Sequence, residues 1–203
     1  MNSQNKTITL LFNPFVYIAG FKAMLLGLAA ILATGAIGAV ARTHFDGVLD
    51  THTGAAAPVW LFLAEGLIDW LCLALVLLLA GRLISKTSFR SIDLLGTQAL
   101  ARWPTLLVVL MTTPPAFARF GQNLAQQLTG GQKIEISGAD ALLFMAVILL
   151  MIPLLCWLVY LMYKSFSVCC NVKGARAIIT FIAGLLIAEV ASKFAIIGLF
   201  KLA

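Results

Sequence analysis

One stretch constrains this chain more than any other: the run from Ala177 to Phe200, almost wholly apolar yet carrying Glu189 and Lys193 well inside it. About 20 apolar residues in a helix cross a ~30 Å hydrocarbon core. The run is therefore read as a membrane span. An ionised side chain near the middle of a bilayer costs at least about 2.5–3.5 kcal/mol. Something must offset that cost. Glu189 and Lys193 are four residues apart, so on a helix they share a face and can offset one another. A partner on another helix, or a wet cavity, is the other way out.

The rest of the chain has the same character. Of its 203 residues 62% are hydrophobic and 11% charged, against about 45–50% and 25% in soluble domains. The fold class this implies is all-α: a multi-pass transmembrane bundle of about five spans with short interfacial helices, its first partner the lipid bilayer. The net charge of +6 fits cytoplasmic loops that face anionic lipid headgroups. No cluster of basic and aromatic residues stands outside the apolar runs, so nucleic acid is not an expected partner. Cys72 and Cys156 fall in apolar runs. Cys169 and Cys170 are adjacent, a poor disulfide pair and an incomplete zinc set.

Residues 1–21 are expected to form a cytoplasmic tail and a surface-lying segment. The segment is broken at Asn13-Pro14, with Phe12, Phe15 and Tyr17 at headgroup level. Residues 22–203 then form a single transmembrane domain, with spans at about 22–41, 58–80, 103–118, 139–163 and 177–200. In the first span Ala23 and Gly27 are four apart, as are Ala30, Thr34 and Gly38; small residues at that spacing let helices pack closely. Gly184, Ala188, Ala191 and Ala195 suggest a similar face on the last. Residues 93–101, capped by Ser88 or Ser91, read as a short interfacial helix leading to a kink at Pro104. The chain should break at Pro114-Pro115. A second surface helix follows, with Phe120, Leu124 and Leu128 on one side and its end at Gly130-Gly131.

Two groups of residues carry chemistry. The loop 42–57 holds His44, Asp46, Asp50 and His52. Imidazole and carboxylate suit a divalent metal, which is the only cofactor the sequence suggests; a solvated loop turning at Asp46-Gly47 is the other reading. The second group lies within the spans. Basic residues choose an orientation: with the N-terminus cytoplasmic, Lys6, Lys22, Arg82, Lys86, Arg90, Arg102, Lys164, Lys173 and Arg176 face the cytoplasm. Arg42, Arg119, Lys133 and Lys201 face the other side of the cell membrane, where five spans also place the C-terminus. The second span then descends from the outer surface and the last ascends to it. Glu65 and Lys193 each lie about 10 Å below that surface, and Asp69 and Glu189 each about 16 Å. The two helices can bring three carboxylates to one lysine. Such a cluster either fixes helix register or holds a proton or cation.

Several stretches, none a tight fingerprint, resemble the Yip family of Ypt/Rab-interacting polytopic membrane proteins, in particular its short prokaryotic members. They are Asn13-Pro14-Phe15, the segment from Ser91 to Pro104 entering the third span, and the segment from Val172 to Val190 entering the fifth. Asp93-Leu94-Leu95-Gly96 departs from the Asp-Leu-Tyr-Gly-Pro motif of eukaryotic members, and their long N-terminal region is missing, so no Rab-contact residue is carried over. The resemblance implies a non-enzymatic helix bundle that organises membranes or partner proteins. Gly-x-Ser-x-Gly, His-Glu-x-x-His and Walker patterns are all absent from the sequence. Arg82, Lys86, Arg90, Lys173 and Arg176 are the expected contacts for anionic lipid or a partner, which includes a second copy of the chain. The alternative is a small oligomeric transporter or channel for protons or metal cations, built on the acids of spans 2 and 5.

Overall fold

A computed structural model of the chain describes residues 3–130 and 137–201. It is an all-α bundle. Helix α1 (Ser3–Phe12) and a 3-10 turn (Pro14–Val16) precede α2 (Gly20–Ala41). Two-residue strands β1 (Thr43–His44) and β2 (His52–Thr53) follow, paired antiparallel with His44 opposite His52. Then come α3 (Val59–Ile84), α4 (Ser91–Ala101), α5 (Pro104–Thr112), α6 (Pro115–Gly130), α7 (Gly138–Cys169) and α8 (Gly174–Phe200). Five units are long and apolar enough to cross a membrane: α2, α3, the joined α4–α5 segment Ser91–Thr112, α7 and α8. This is a multi-pass membrane protein. Every expected span is present, and α3, α7 and α8 run several residues past the expected limits. Lys164 therefore lies inside α7 and not in a link after it.

The third span departs most from expectation. It begins at Ser91, not at residue 103. Residues 93–101 do not lie on the surface: Leu94, Ala99 and Ala101 are fully buried, and so are Thr97 and Gln98. The reason is backbone contact. A Cβ on Gly27 of α2 would stand 2.6 Å from the Ala99 Cβ and run into the backbone between Ala99 and Leu100. A Cβ on Gly96 would stand 2.9 Å from the Met24 amide nitrogen and run into the Gly20 carbonyl. Only glycine at both positions lets α2 and α4 approach this closely. The buried stripe of α2 runs through Gly20, Ala23, Gly27, Ile31, Thr34 and Gly38, a helical repeat of three and four. Pro104 starts α5 after a one-turn interruption, as its missing N–H requires.

The antiparallel pair α3 and α8 forms the other tight seam. Gly184 lies against Leu77, whose Cδ2 would be 2.9 Å from an added Cβ. The buried face of α8 continues through Leu185, Ala188, Ser192 and Ile196. Ala191 and Ala195 are exposed and not part of it: the face follows the 3.6-residue period past them. At the N-terminus Phe15 is buried in the core, not at headgroup level, and the Trp157 indole N–H of α7 donates to the Leu11 carbonyl at 3.2 Å. Phe12 and Tyr17 are exposed. The surface helix α6 starts at Pro115, inside the stretch expected for the third span, and ends at Gly130 as the sequence suggests, with Gly131 and Lys133 outside the described residues. It rests on α7 through Phe117, stacked on Phe144, and Phe120, tilted against the same ring.

Candidate functional site: paired charges at the hairpin end

The β1–β2 hairpin closes one end of the bundle and sits over α3 and α8. Arg42 ends α2 in a left-handed conformation (φ 54°) and turns the chain back. Thr43 Oγ1 meets Thr112 Oγ1 at 2.8 Å, tying β1 to α5. His44 is then held from two sides. Its Nε2 donates to the Ala55 carbonyl at 3.0 Å, and its Nδ1 lies 2.7 Å from Glu65 Oε1. The Phe62 ring stacks on it at 4.2 Å. Because a carbonyl only accepts, Nε2 carries a hydrogen. The short Nδ1–Glu65 contact then holds one further proton between ring and carboxyl. Burial disfavours a charged ring, but the hydrogen bonds to Glu65 and the Ala55 carbonyl outweigh it, so the His44 pKa lies above its ordinary value. Glu65 Oε2 accepts from the Phe45 N–H at 3.0 Å, and its side chain is wholly buried.

The other acids are paired separately. Asp69, one turn below Glu65, lies 3.3 Å from Arg102 Nη2, with both side chains buried. Glu189 accepts from the Leu49 N–H at 2.9 Å. Lys193 Nζ stands 3.5 Å from Glu189 Oε1 and 2.6 Å from Asp50 Oδ2. Gly47 crosses directly over this pair: an added Cβ would be 3.0 Å from both the Glu189 carboxyl carbon and Lys193 Cε.

The structure thus brings Glu65, Asp69, Glu189 and Lys193 to the same two helices, but not to one point. Lys193 serves Glu189 and Asp50, not the acids of α3. Those acids have cations of their own that the sequence reading assigned elsewhere: His44, read as a metal ligand, and Arg102, read as a loop residue on the cytoplasmic face. Arg102 is 3% exposed. The signal for it was the absence of any turn residue between Ala99 and Trp103. The proposed metal set is also divided. His44 has both ring nitrogens engaged, His52 Nδ1 lies 3.2 Å from Asp46 Oδ1, and Asp50 faces Lys193. Among the described residues no three His, Cys, Asp or Glu side chains converge to hold a metal ion. A cavity of about 650 Å³ opens beside these groups, lined by His44, Glu65, Asp46, His52, Leu61 and Ile197 among others.

At the opposite end the basic residues expected to meet lipid or a partner, Arg82, Lys86, Arg90, Lys173 and Arg176, are all exposed. They lie at the end of α3, at the start of α8 and on the loops beside them, and these segments touch: Ser85 Oγ donates to the Cys170 carbonyl at 2.7 Å, and a Cβ on Gly81 would be 2.6 Å from Cys170 Sγ. Arg82 lies over the Phe89 ring, 4.6 Å from its centroid. The chain matches no protein-family model, no curated protein and no solved structure.

Proposed function

We propose that the protein is a non-enzymatic integral membrane protein of Yip type, organising membrane lipids or partner proteins through one basic surface on its cytoplasmic side. The observation that carries this reading is the Ser85–Cys170 contact, which joins residues 82–90 to residues 170–176. Five exposed cations then share one face. Each basic residue near an anionic membrane surface is worth about 1 kcal/mol, so five acting together select anionic headgroups strongly. Orientation rests on the same charges. With Arg102 removed from the count, eight Lys and Arg residues lie on the platform side and, among the described residues, three on the hairpin side. The N-terminus is then cytoplasmic and the C-terminus outside. Conduction of cations through the buried acids is the weaker reading, because each acid already has its own cation and none is left to draw another in.

The test is lipid retention. The wild-type chain, extracted from mixed bilayers and weighed intact by native mass spectrometry, should retain anionic lipids preferentially. A variant with Arg82, Lys86, Arg90, Lys173 and Arg176 all changed to Gln should lose that preference while its melting temperature stays within a few degrees. Equal retention by both proteins refutes the platform.

A further inference from the structure

The polar groups of the core do not stop at Glu65. Three side-chain atoms buried deeper have no partner among protein atoms: Asp69 Oδ1, Arg102 Nη1 and Gln98 Oε1. Each side chain is more than nine-tenths buried. A buried polar atom left unpaired costs about 1–3 kcal/mol, and native structures satisfy such atoms with protein or ordered water. Room for water is present. A small cavity of about 10 Å³ touches Arg102 and is lined by Thr34, Thr105, Gly35, Gly66, Phe45 and Phe62 among others. That is about the space one water molecule occupies by this measure. Thr34 and Thr105 present hydroxyls 3.4 Å apart in its wall, and the Arg102 guanidinium supplies a donor. A water there has the two to four polar partners it needs.

This small cavity lies next to the large one. Phe45 and Phe62 belong to the small cavity, yet the Phe45 amide binds Glu65 and the Phe62 ring stacks on His44. Glu65 and His44 line the large cavity. Phe45 and Phe62 thus each line the inner space and contact a residue of the outer one. Gly35 and Gly66, which line the small one, sit where α2 and α3 pack closely. A Cβ on Gly66 would be 3.0 Å from Ile31 Cγ2, and one on Gly35 would be 2.8 Å from the Phe62 carbonyl oxygen.

We propose that the large cavity at the hairpin end continues, past Phe45 and Phe62, as a water path to Arg102 and Asp69, so that the buried ion pair exchanges water and protons with solution on that side. The ligand of the inner site is water, held by the Arg102 guanidinium and the two threonine hydroxyls. The path ends at the ion pair. Arg102 sits at its inner end as a fixed positive charge and opposes the entry of cations, so the path hydrates the pair without conducting ions. The inference goes beyond the platform reading and does not depend on it.

The test uses the full chain in lipid bilayers with 15N-labelled arginine and histidine. The Arg102 side-chain signals are assigned as those lost in Arg102→Lys. In water-edited solid-state NMR they should receive magnetisation from water as fast as His44 does. Their side-chain protons should exchange into D2O within minutes. The conservative double variant Thr34→Val with Thr105→Val keeps the shape of the wall and removes its hydroxyls; it should slow both readouts at Arg102 at least tenfold and leave His44 unchanged. Two results overturn the proposal. One is a dry Arg102, with exchange over hours like that of the apolar core. The other is exchange in the double variant as fast as in the wild type, which means water arrives by another route.

Discussion

Changing Arg102 to Met tests the central claim about the charged core. The guanidinium and the Asp69 carboxylate are 3.3 Å apart, with side-chain exposures of 3% and 0%. Methionine fills much of the arginine stem but leaves Asp69 without its cation. Removing one member of a buried pair costs about 3–5 kcal/mol, whereas replacing both by apolar residues of similar volume is often neutral or stabilising. At about 2–4 °C per kcal/mol for a chain of this size, Arg102→Met should lower the melting temperature by roughly 6–20 °C. The double variant Arg102→Met with Asp69→Leu should recover most of that loss. The assay is thermal unfolding of purified protein in one fixed detergent, followed by intrinsic tryptophan fluorescence. The surface pair Lys193–Asp50, at 40% and 44% exposure, serves as the comparison: Asp50→Asn should leave the melting temperature nearly unchanged despite its shorter 2.6 Å contact, because solvent screens it. An Arg102→Met protein that melts with the wild type, or a double variant no better than the single, would mean that Asp69 does not depend on Arg102 for its charge balance.

Three further outcomes follow from the geometry. The pKa of His44 is raised by its Glu65 and Ala55 hydrogen bonds, so its stabilising contribution is complete below the ordinary histidine value of about 6.5 and is lost as pH rises through the folded-state value; melting curves from pH 6 to 9 should fall with pH in the wild type and flatten in Glu65→Gln. Gly96→Ala and Gly27→Ala push α2 from α4 and should lower the melting temperature, by at least the roughly 1–3 kcal/mol of an overpacked core, whereas Gly198→Ala, with nothing within 4 Å of its added Cβ, should be neutral or slightly stabilising. Gly47→Ala drives a methyl group into the Glu189–Lys193 pair and should detach the 45–51 segment, seen as faster amide exchange at Leu49 with little change in α7.

The amino-acid order alone dictates the kind of molecule. Apolar runs of about 20 residues leave the backbone no choice in lipid but to form helices, since each N–H and C=O must be satisfied within its own segment. The breaks at Asn13-Pro14, Pro104 and Pro114-Pro115 follow from proline's missing donor, and the small-residue stripe of α2 was legible from its spacing. The packing of α3 against α8 was legible from topology. Partner choice was not. Lys193 and Arg102 have similar charge and hydropathy, and nothing local says that one reaches out to Asp50 while the other turns in to Asp69. That depended on Gly27 and Gly96, which draw α4 onto α2 and make Arg102 part of a span. It depended also on the hairpin, which folds His44 back onto Glu65. Periodicity reports which face of a helix is buried; only the packing of several helices decides what that face meets, because each charge is neutralised by whichever opposite charge the tertiary structure carries within about 3 Å of it.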